Sequence, residues 1–386
     1  MSAIKTGEHQ GGGATAPSGA RERGPEQQQI KDAFQRVTTW LLSGKVLKPA
    51  KSGAGVANWM HPDGVYDGLY PEICGYYLQF LAQTEPSVPG TRDAAEKVLA
   101  WLDEVGPHGD PPTLDHVNPA DSDWRNKCLF AFDLGMIYRG FAAVEARWPG
   151  ILRPELMNRY RASLQTLSPG GRLISHHLRN GATGQDIPVK WSTTVDVHHV
   201  KIAATLAGVG PQFNDTVAAT VAEQAKLLER EGSKRLRDLH PFHYFIEGWL
   251  MLWAQSGNPA HLDRAATAFE IVLGEFEAND GTLPPIAGRR DMAPRADVLA
   301  QALRVGLVLE HAGKLDAAPN SRWSKARTKL ETLVLASVTP EGGIEFDRVG
   351  RHRNIWASLF AWQALQFADQ ARAGLLDAKA AAGSLI

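Results

Sequence analysis

Apolar residues recur at helical spacing along almost the whole chain, in two alternating kinds of segment. One kind mixes Leu, Ala and Val with Lys, Arg, Glu or Gln, as a half-exposed helix does, and is expected at 29–43, 92–105, 154–167, 213–230, 259–277 and 320–336. The other is apolar or small nearly all round, as in MIYRGFAAV and NIWASLFAWQAL, the pattern of a helix buried on both sides. These inner helices are expected at 70–82, 130–147, 191–207, 240–255, 294–311 and 351–373. The repeat length of roughly fifty to sixty residues is that of a helical hairpin with one long loop. A hairpin cannot bury its inner helix alone, whereas six closed into a ring can, so the fold class expected is all-α.

Between outer and inner helices lie Gly-centred stretches, HPDGVYDGLYPE, SPGGRLISHHL, NDGTLPPIAG and TPEGGIEFDRVG. Their Asp-Gly and Gly-Gly steps are turn signals, and short β-hairpin loops are expected on that face of the ring. The links from inner to outer helix, such as SGNPAH, are shorter, which puts the functional mouth on the long-loop face. The repeat leaves room for one domain, 29–373, with loose tails at 1–28 and 374–386. The first of these is rich in Gly, Ser, Ala, Gln and charge and has no apolar run to support a core.

The long loops lead into the first turns of the inner helices, where polar residues gather: Tyr70 and Glu72, then Asp133, then Lys190, Trp191, Asp196, His198 and His199. His240, His243 and Glu247 open the fourth, Arg295 and Asp297 the fifth, and His352, Arg353, Asn354 and Trp356 the sixth. Helix N-termini present unpaired N–H groups and positive dipole ends, so with Arg295 and Arg353 they favour an anionic or hydroxyl-rich ligand. Of the eleven Trp, Trp101, Trp249 and Trp253 fall in apolar stripes and are expected in the core. Trp59, Trp124 and Trp191 sit in or beside polar loops, where flat indole faces suit sugar rings. The expected catalytic set is Tyr70, Glu72, Asp133, His240 and His243; the expected binding set is Trp59, Trp124, Lys190, Trp191, Asp196, His199, Glu247, Arg295, Asp297, Arg353, Asn354 and Trp356.

Quieter roles are open for the same residues. Asp133, Asp196 and Asp297 could satisfy helix ends, and Glu72 after Pro71 could act only on the helix dipole. His240, His243 and Glu247 share a helical face, yet without a motif such as HExxH no metal is expected. Adjacent residues point apart, so at most one of His198 and His199 is expected to face the cavity, and at most one of His176 and His177. Two acid/base schemes fit: Glu72 with Asp133 or Asp196 on a glycosidic bond, or His or Tyr taking the C5 proton of a uronate while Arg and Asn neutralise its carboxylate.

The formal net charge is −1 with acids and bases interspersed, which argues against nucleic acid or an anionic membrane as partner. Cys74 and Cys128, the two cysteines, are too few for a disulfide framework and are expected as packed thiols. The chain has neither a secretory signal pattern nor an apolar run of membrane-spanning length, so a cytoplasmic location is expected. No cofactor is called for, and the partner expected is a small-molecule or oligosaccharide substrate.

With these residues laid out, positions 29–373 resemble the six-hairpin (α/α)6-toroid enzymes, a group of glycoside hydrolases, polysaccharide lyases, sugar 2-epimerases and uronyl C5-epimerases. YPEICGYYLQFL from Tyr70 and FAFDLGMIYRGF from Phe130 are similar to segments of toroid proteins of bacterial polysaccharide clusters. The chain departs from that pattern at Cys74, where a hydroxyl residue is expected, and at Met136, where Gln is expected. HPFHYFIEGWLMLW is loosely similar to a helix of uronyl C5-epimerases. The resemblance implies a carbohydrate-active epimerase or lyase with a central cavity, the alternatives being a glycoside hydrolase, a non-catalytic binding or scaffold toroid, or a terpenoid cyclase. The two scattered cysteines do not supply the zinc site of a lanthionine cyclase, and NPADSDW from Asn118 is the nearest approach to a squalene-cyclase acidic motif.

Overall fold

The computed structural model describes residues 25–386 apart from 119, 121, 122, 180, 232–236 and 348. The expected tail at 1–28 lies outside the described residues up to position 24; from Pro25 the chain is already helical. Thirteen α-helices are present among the described residues: α1 Pro25–Leu41, α2 Pro71–Gln83, α3 Thr91–Val105, α4 Ala131–Arg147, α5 Pro154–Thr166, α6 His199–Ala207 and α7 Asn214–Glu231, then α8 Leu239–Ser256, α9 Pro259–Ala278, α10 Ala296–His311, α11 Arg322–Ser337, α12 Ile355–Arg372 and α13 Ala378–Ser384. The even-numbered helices α2 to α12 pack each on the next, and α12 packs back on α2, closing an inner ring. Each outer helix from α3 to α11 packs on the inner helix before it, while α1 packs on α12 and joins the two ends of the chain. This is an (α/α)6 toroid.

The inner helices are buried nearly all round, as their composition requires. Trp101 and Trp249 are in the core with Trp40, Trp323 and Trp362, whereas Trp253 is only partly buried. Cys74 and Cys128 are buried free thiols. No helix among the described residues is long and apolar enough to cross a membrane.

Three features differ from expectation. The third inner helix starts at His199, not Trp191: the hydroxyls of Thr193 and Thr194 donate to Lys190 O, and this local bonding competes with helix and leaves only a single 3-10 turn at Trp191–Thr193. The loop strands form one local hairpin, Leu47–Pro49 with Ala54–Val56, but otherwise pair between neighbouring loops. Trp59–Met60 pairs with Arg353–Asn354, Gly68–Leu69 with Asp115–His116, and Cys128–Phe130 with His176–Leu178. Ring closure holds successive loops side by side, so the free edge of one finds the next, and the loops lace into a collar around the mouth.

The third difference concerns 374–386, expected as a loose tail. Asp377 caps α13, which packs on α8 and α10, and Leu385 and Ile386 are fully buried. The segment closes the end of the ring opposite the mouth. Polar side chains of the inner helices, Arg139 and Gln363 from the third turns of α4 and α12 and Lys201 from the first turn of the late-starting α6, bind its backbone: Arg139 donates to Gly383 O and Leu385 O at 2.7 and 2.8 Å, Gln363 to Ser384 O at 2.8 Å, and Lys201 to Ile386 O at 3.2 Å. Such bonds replace the carbonyls' lost hydration, which is why a short Ala-rich helix can be buried here.

Candidate active site

At the mouth, the N-termini of the inner helices surround a cavity of about 350 Å³. Nine of the expected residues line it: Tyr70, Glu72, Trp124, Asp133, Lys190, Trp191, His240, Arg295 and Trp356. Sequence reasoning missed Asp123, Arg125, Phe130, Ser192 and Tyr244, which line it too. Arg125 and Asp123 flank Trp124 in the loop already singled out, and Tyr244 lies one turn after His240, so spacing could have found both.

Two carboxyls meet on one side. Pro71 takes the first position of α2 and sets Glu72 in its first turn; Asp133 holds the equivalent place in α4. Burial pushes the Glu72 carboxyl up to about 7, against hydrogen bonds from Tyr76 and Tyr70 and the charges of Lys201 and Arg125. Asp133 is raised well above the carboxylate range, first by burial and then by the charge of Glu72. Both shifts favour the protonated form, and the coupling opposes two negative charges side by side. Asp133 Oδ2 has no hydrogen-bond partner among the described residues. Arg125, clamped to Asp123 by bonds of 2.9 and 2.6 Å, stands beside the pair with its guanidinium over the Tyr70 ring.

Across the ring, α8 presents His240. Asp238 caps that helix by accepting from His240 N, and the His240 ring Nδ1 lies 2.9 Å from Gln301 Oε1 and 3.2 Å from Asp297 Oδ2. Burial lowers the imidazole to about 4 despite the Asp297 charge, so the ring is neutral at pH 7. Arg295 is held by Asp297 and stacks on Phe346. Trp191 meets His240 edge-on, and the Trp356 indole N–H has no partner among the described residues.

One turn below the mouth the hydroxyls of Tyr76 and Tyr244 bond across the ring at 3.1 Å, and Tyr244 lines the cavity. Beneath it is a polar girdle with one residue from each inner helix: Gln79, Arg139, Lys201, Glu247, Arg304 and Gln363. Lys201 Nζ bonds Glu247 Oε2 at 2.7 Å, and Arg304 grips Oε1. Burial alone would raise Glu247, but Arg304 and Lys201 outweigh it and hold the carboxyl at about 2. Lys201 falls to about 8 because burial and the neighbouring Arg304 and Arg139 exceed the pull of Glu247.

The remaining expected site residues do not line the cavity. A helix rises ~1.5 Å per residue, so Glu247 sits about 10 Å deeper than His240 although both share a face. His243 is fully buried, its Nδ1 bonded to Leu239 O at 2.6 Å, and His199 is buried against His198. Asp297 supports His240 and Arg295 from behind, while Trp59 packs edge-on behind Trp356 at 5.1 Å. Arg353 pairs with Glu341, Asn354 caps α12 through Ala357 N, and Asp196 Oδ1 accepts from Val197 N. Those six helix starts therefore divide into some that face the ligand space and some that only finish the fold. No group of three His, Cys, Asp or Glu among the described residues could hold a metal ion.

No known protein family matches the sequence, and no curated protein does. Solved structures match it in fold. Cellobiose 2-epimerase from Spirochaeta thermophila superposes with a TM-score of 0.65 at 14% identity, over 92% of this chain and 99% of that one. An unsaturated glucuronyl hydrolase specific for heparin gives 0.63 at 12%, over 90% and 98%. A type II terpene cyclase from Scytonema, solved with geranylgeranyl dihydroxybenzoate as its substrate, gives 0.54 at 14%, over 91% and 99%. The toroid is common to all three, and the chemistries are not.

Proposed function

We propose that this chain is a saccharide-processing enzyme of the epimerase or lyase type, working by proton transfer on a sugar or uronate held in the mouth cavity. The observation that carries the reading is the neutral His240, braced by Asp297 and Gln301, opposite a carboxyl pair shifted toward its protonated form. His240 Nε2 takes the proton from a carbon next to a carbonyl or carboxylate. The resulting negative charge is stabilised by Arg125, Arg295 and the Trp356 N–H, and the Glu72–Asp133 pair returns a proton, to the opposite face of the same carbon for epimerisation. Tyr70 and Tyr76 hold Glu72 by hydrogen bonds, and Trp124, Trp191 and Lys190 border the ring and its hydroxyls. The solved structures named above for an epimerase and a glucuronyl hydrolase support a saccharide over an isoprenoid.

The carboxyl pair also favours a second reading, glycoside hydrolysis, in which one member protonates the leaving oxygen. Incubation of the protein in D2O with a panel of aldoses, disaccharides and uronates, followed by NMR, separates the two. Epimerisation puts deuterium on the carbon whose configuration inverts, whereas elimination loses that C–H proton and leaves a double bond without deuterium on it. Release of a reducing end with every C–H bond retained would overturn the first reading in favour of the second. A cytoplasmic site of action belongs to the same proposal and is checked by fractionating the producing cells.

A further inference from the structure

Glu247 of the girdle and Gln301, which lies between it and His240, do not line the cavity, yet they bear on the side chain that does. Gln301 Nε2 lies 3.3 Å from Glu247 Oε1 and 3.5 Å from His240 O. Both are acceptors only, since Glu247 is ionised and a backbone carbonyl has no proton to give. That end of the amide is therefore the NH2, and its oxygen is the atom 2.9 Å from His240 Nδ1. Glu247 cannot swing away to permit the opposite arrangement, because Lys201 from α6 and Arg304 from α10 hold its two oxygens separately. On its other side Nδ1 meets the ionised Asp297, itself held by Arg295. An unprotonated Nδ1 would face two lone pairs with none of its own satisfied.

We infer that Glu247 and Gln301 are positioning residues which fix His240 as the Nδ1–H tautomer, so that Nε2 meets the cavity as a bare lone pair. The direction of the proton on His240 is thereby written into the ring a full two turns below the mouth. Asp297 and Gln301 act as two independent acceptors, the first oriented by Arg295 and the second by Glu247. Asp238, Tyr244, Trp191 and Phe360 complete the surroundings of the imidazole, and none of them places a second donor or acceptor on Nδ1. The inference concerns a ground-state proton, and it rests on the proposed function only in giving that proton a use as part of a general base.

The test is long-range 1H–15N NMR of the histidine rings in the full-length, 15N-labelled protein at pH 7 to 8, with the His240 signals assigned by their loss in His240→Gln. The wild type should show His240 as Nδ1–H, and Asp297→Asn should keep that tautomer, since Gln301 still accepts. Adding Gln301→Leu to Asp297→Asn should convert much of the population to Nε2–H and lower kcat on the order of 10- to 100-fold with little change in KM. A wild type carrying Nε2–H overturns the inference without need of any variant, as does a double variant that stays Nδ1–H. If the tautomer shifts as stated but turnover does not fall, the relay stands and His240 is not the base.

Discussion

A Cβ built on Gly140 of α4 would lie 2.5 Å from the carbonyl oxygen of Gly75 in α2, and one on Gly75 would lie 2.4 Å from Met136 O. The two helices touch backbone to backbone, and this contact brings Glu72 and Asp133, each near the start of its helix, into electrostatic reach. Gly140→Ala must push the helices apart. It should lower stability by about 1–3 kcal/mol, the usual cost of overpacking, as a shift in the urea midpoint. A midpoint within error of wild type would mean that the helices slide past one another freely.

The carboxyl pair makes stability depend on pH in a direction opposite to ordinary acid unfolding. Glu72 binds its proton more tightly in the folded chain than in the unfolded one, so unfolding releases a proton between about 4.5 and 7, and stability falls as pH rises through that window. Glu72→Gln removes the penalty. Relative to wild type it should gain stability at pH 8 over pH 5, by up to ~3 kcal/mol less the relief that cavity solvent already gives. Melting curves at the two pH values measure it; an equal effect of the substitution at both would place the Glu72 carboxyl at an ordinary affinity for protons.

Activity should respond to the same pair. Asp133→Asn and Glu72→Gln each preserve shape while removing one carboxyl of the pair, and each should reduce kcat by on the order of 10²- to 10⁴-fold. The alkaline limb of the kcat/KM profile near pH 7 should disappear in Glu72→Gln. Unchanged turnover in both variants, measured on whichever sugar exchanges deuterium, would confine these residues to the helix ends.

Deleting 378–386 strips acceptors from Arg139, Gln363 and Lys201. Each buried donor left without a partner costs about 1–3 kcal/mol, so the shortened chain should melt many degrees lower or fail to accumulate in folded form. Lys201→Met in the full-length chain, which removes one of those donors and one partner of Glu247, gives a milder variant whose destabilisation should exceed that of an exposed lysine substitution several-fold. A truncated protein with the wild-type melting temperature would show that 378–386 add nothing to the ring.

The ring itself was legible because burial on two sides leaves an all-round apolar segment, and MIYRGFAAV or NIWASLFAWQAL can mean little else. Tyr70, Glu72, Asp133 and His240 were found by the same logic, since residues at an inner-helix start must face either the mouth or a neighbouring helix. What sequence spacing does not carry is depth. His240 and Glu247 occupy one helical face, but the axis runs away from the mouth, and only the first reaches the cavity; His243 is turned aside onto Leu239 O while Tyr244, one residue deeper, lines the cavity. Nor does it carry pairings across the ring: Tyr76 with Tyr244, or Arg139 with the backbone of 383–385, join positions 168 and more than 240 residues apart. The segment 374–386 reads as a tail because Ala-rich composition gives no sign of a socket built from six other helices.

That socket turns the toroid into a cul-de-sac. With Tyr76 and Tyr244 bonded across the ring and the chain's own 383–386 sealed in behind them, a ligand that enters at the collar has to back out the way it came. A polymer cannot be threaded through such a ring; it can insert only an end. On the proposed enzymatic reading, turnover is then a sequence of single visits, each finished when the occupant withdraws and makes room for the next.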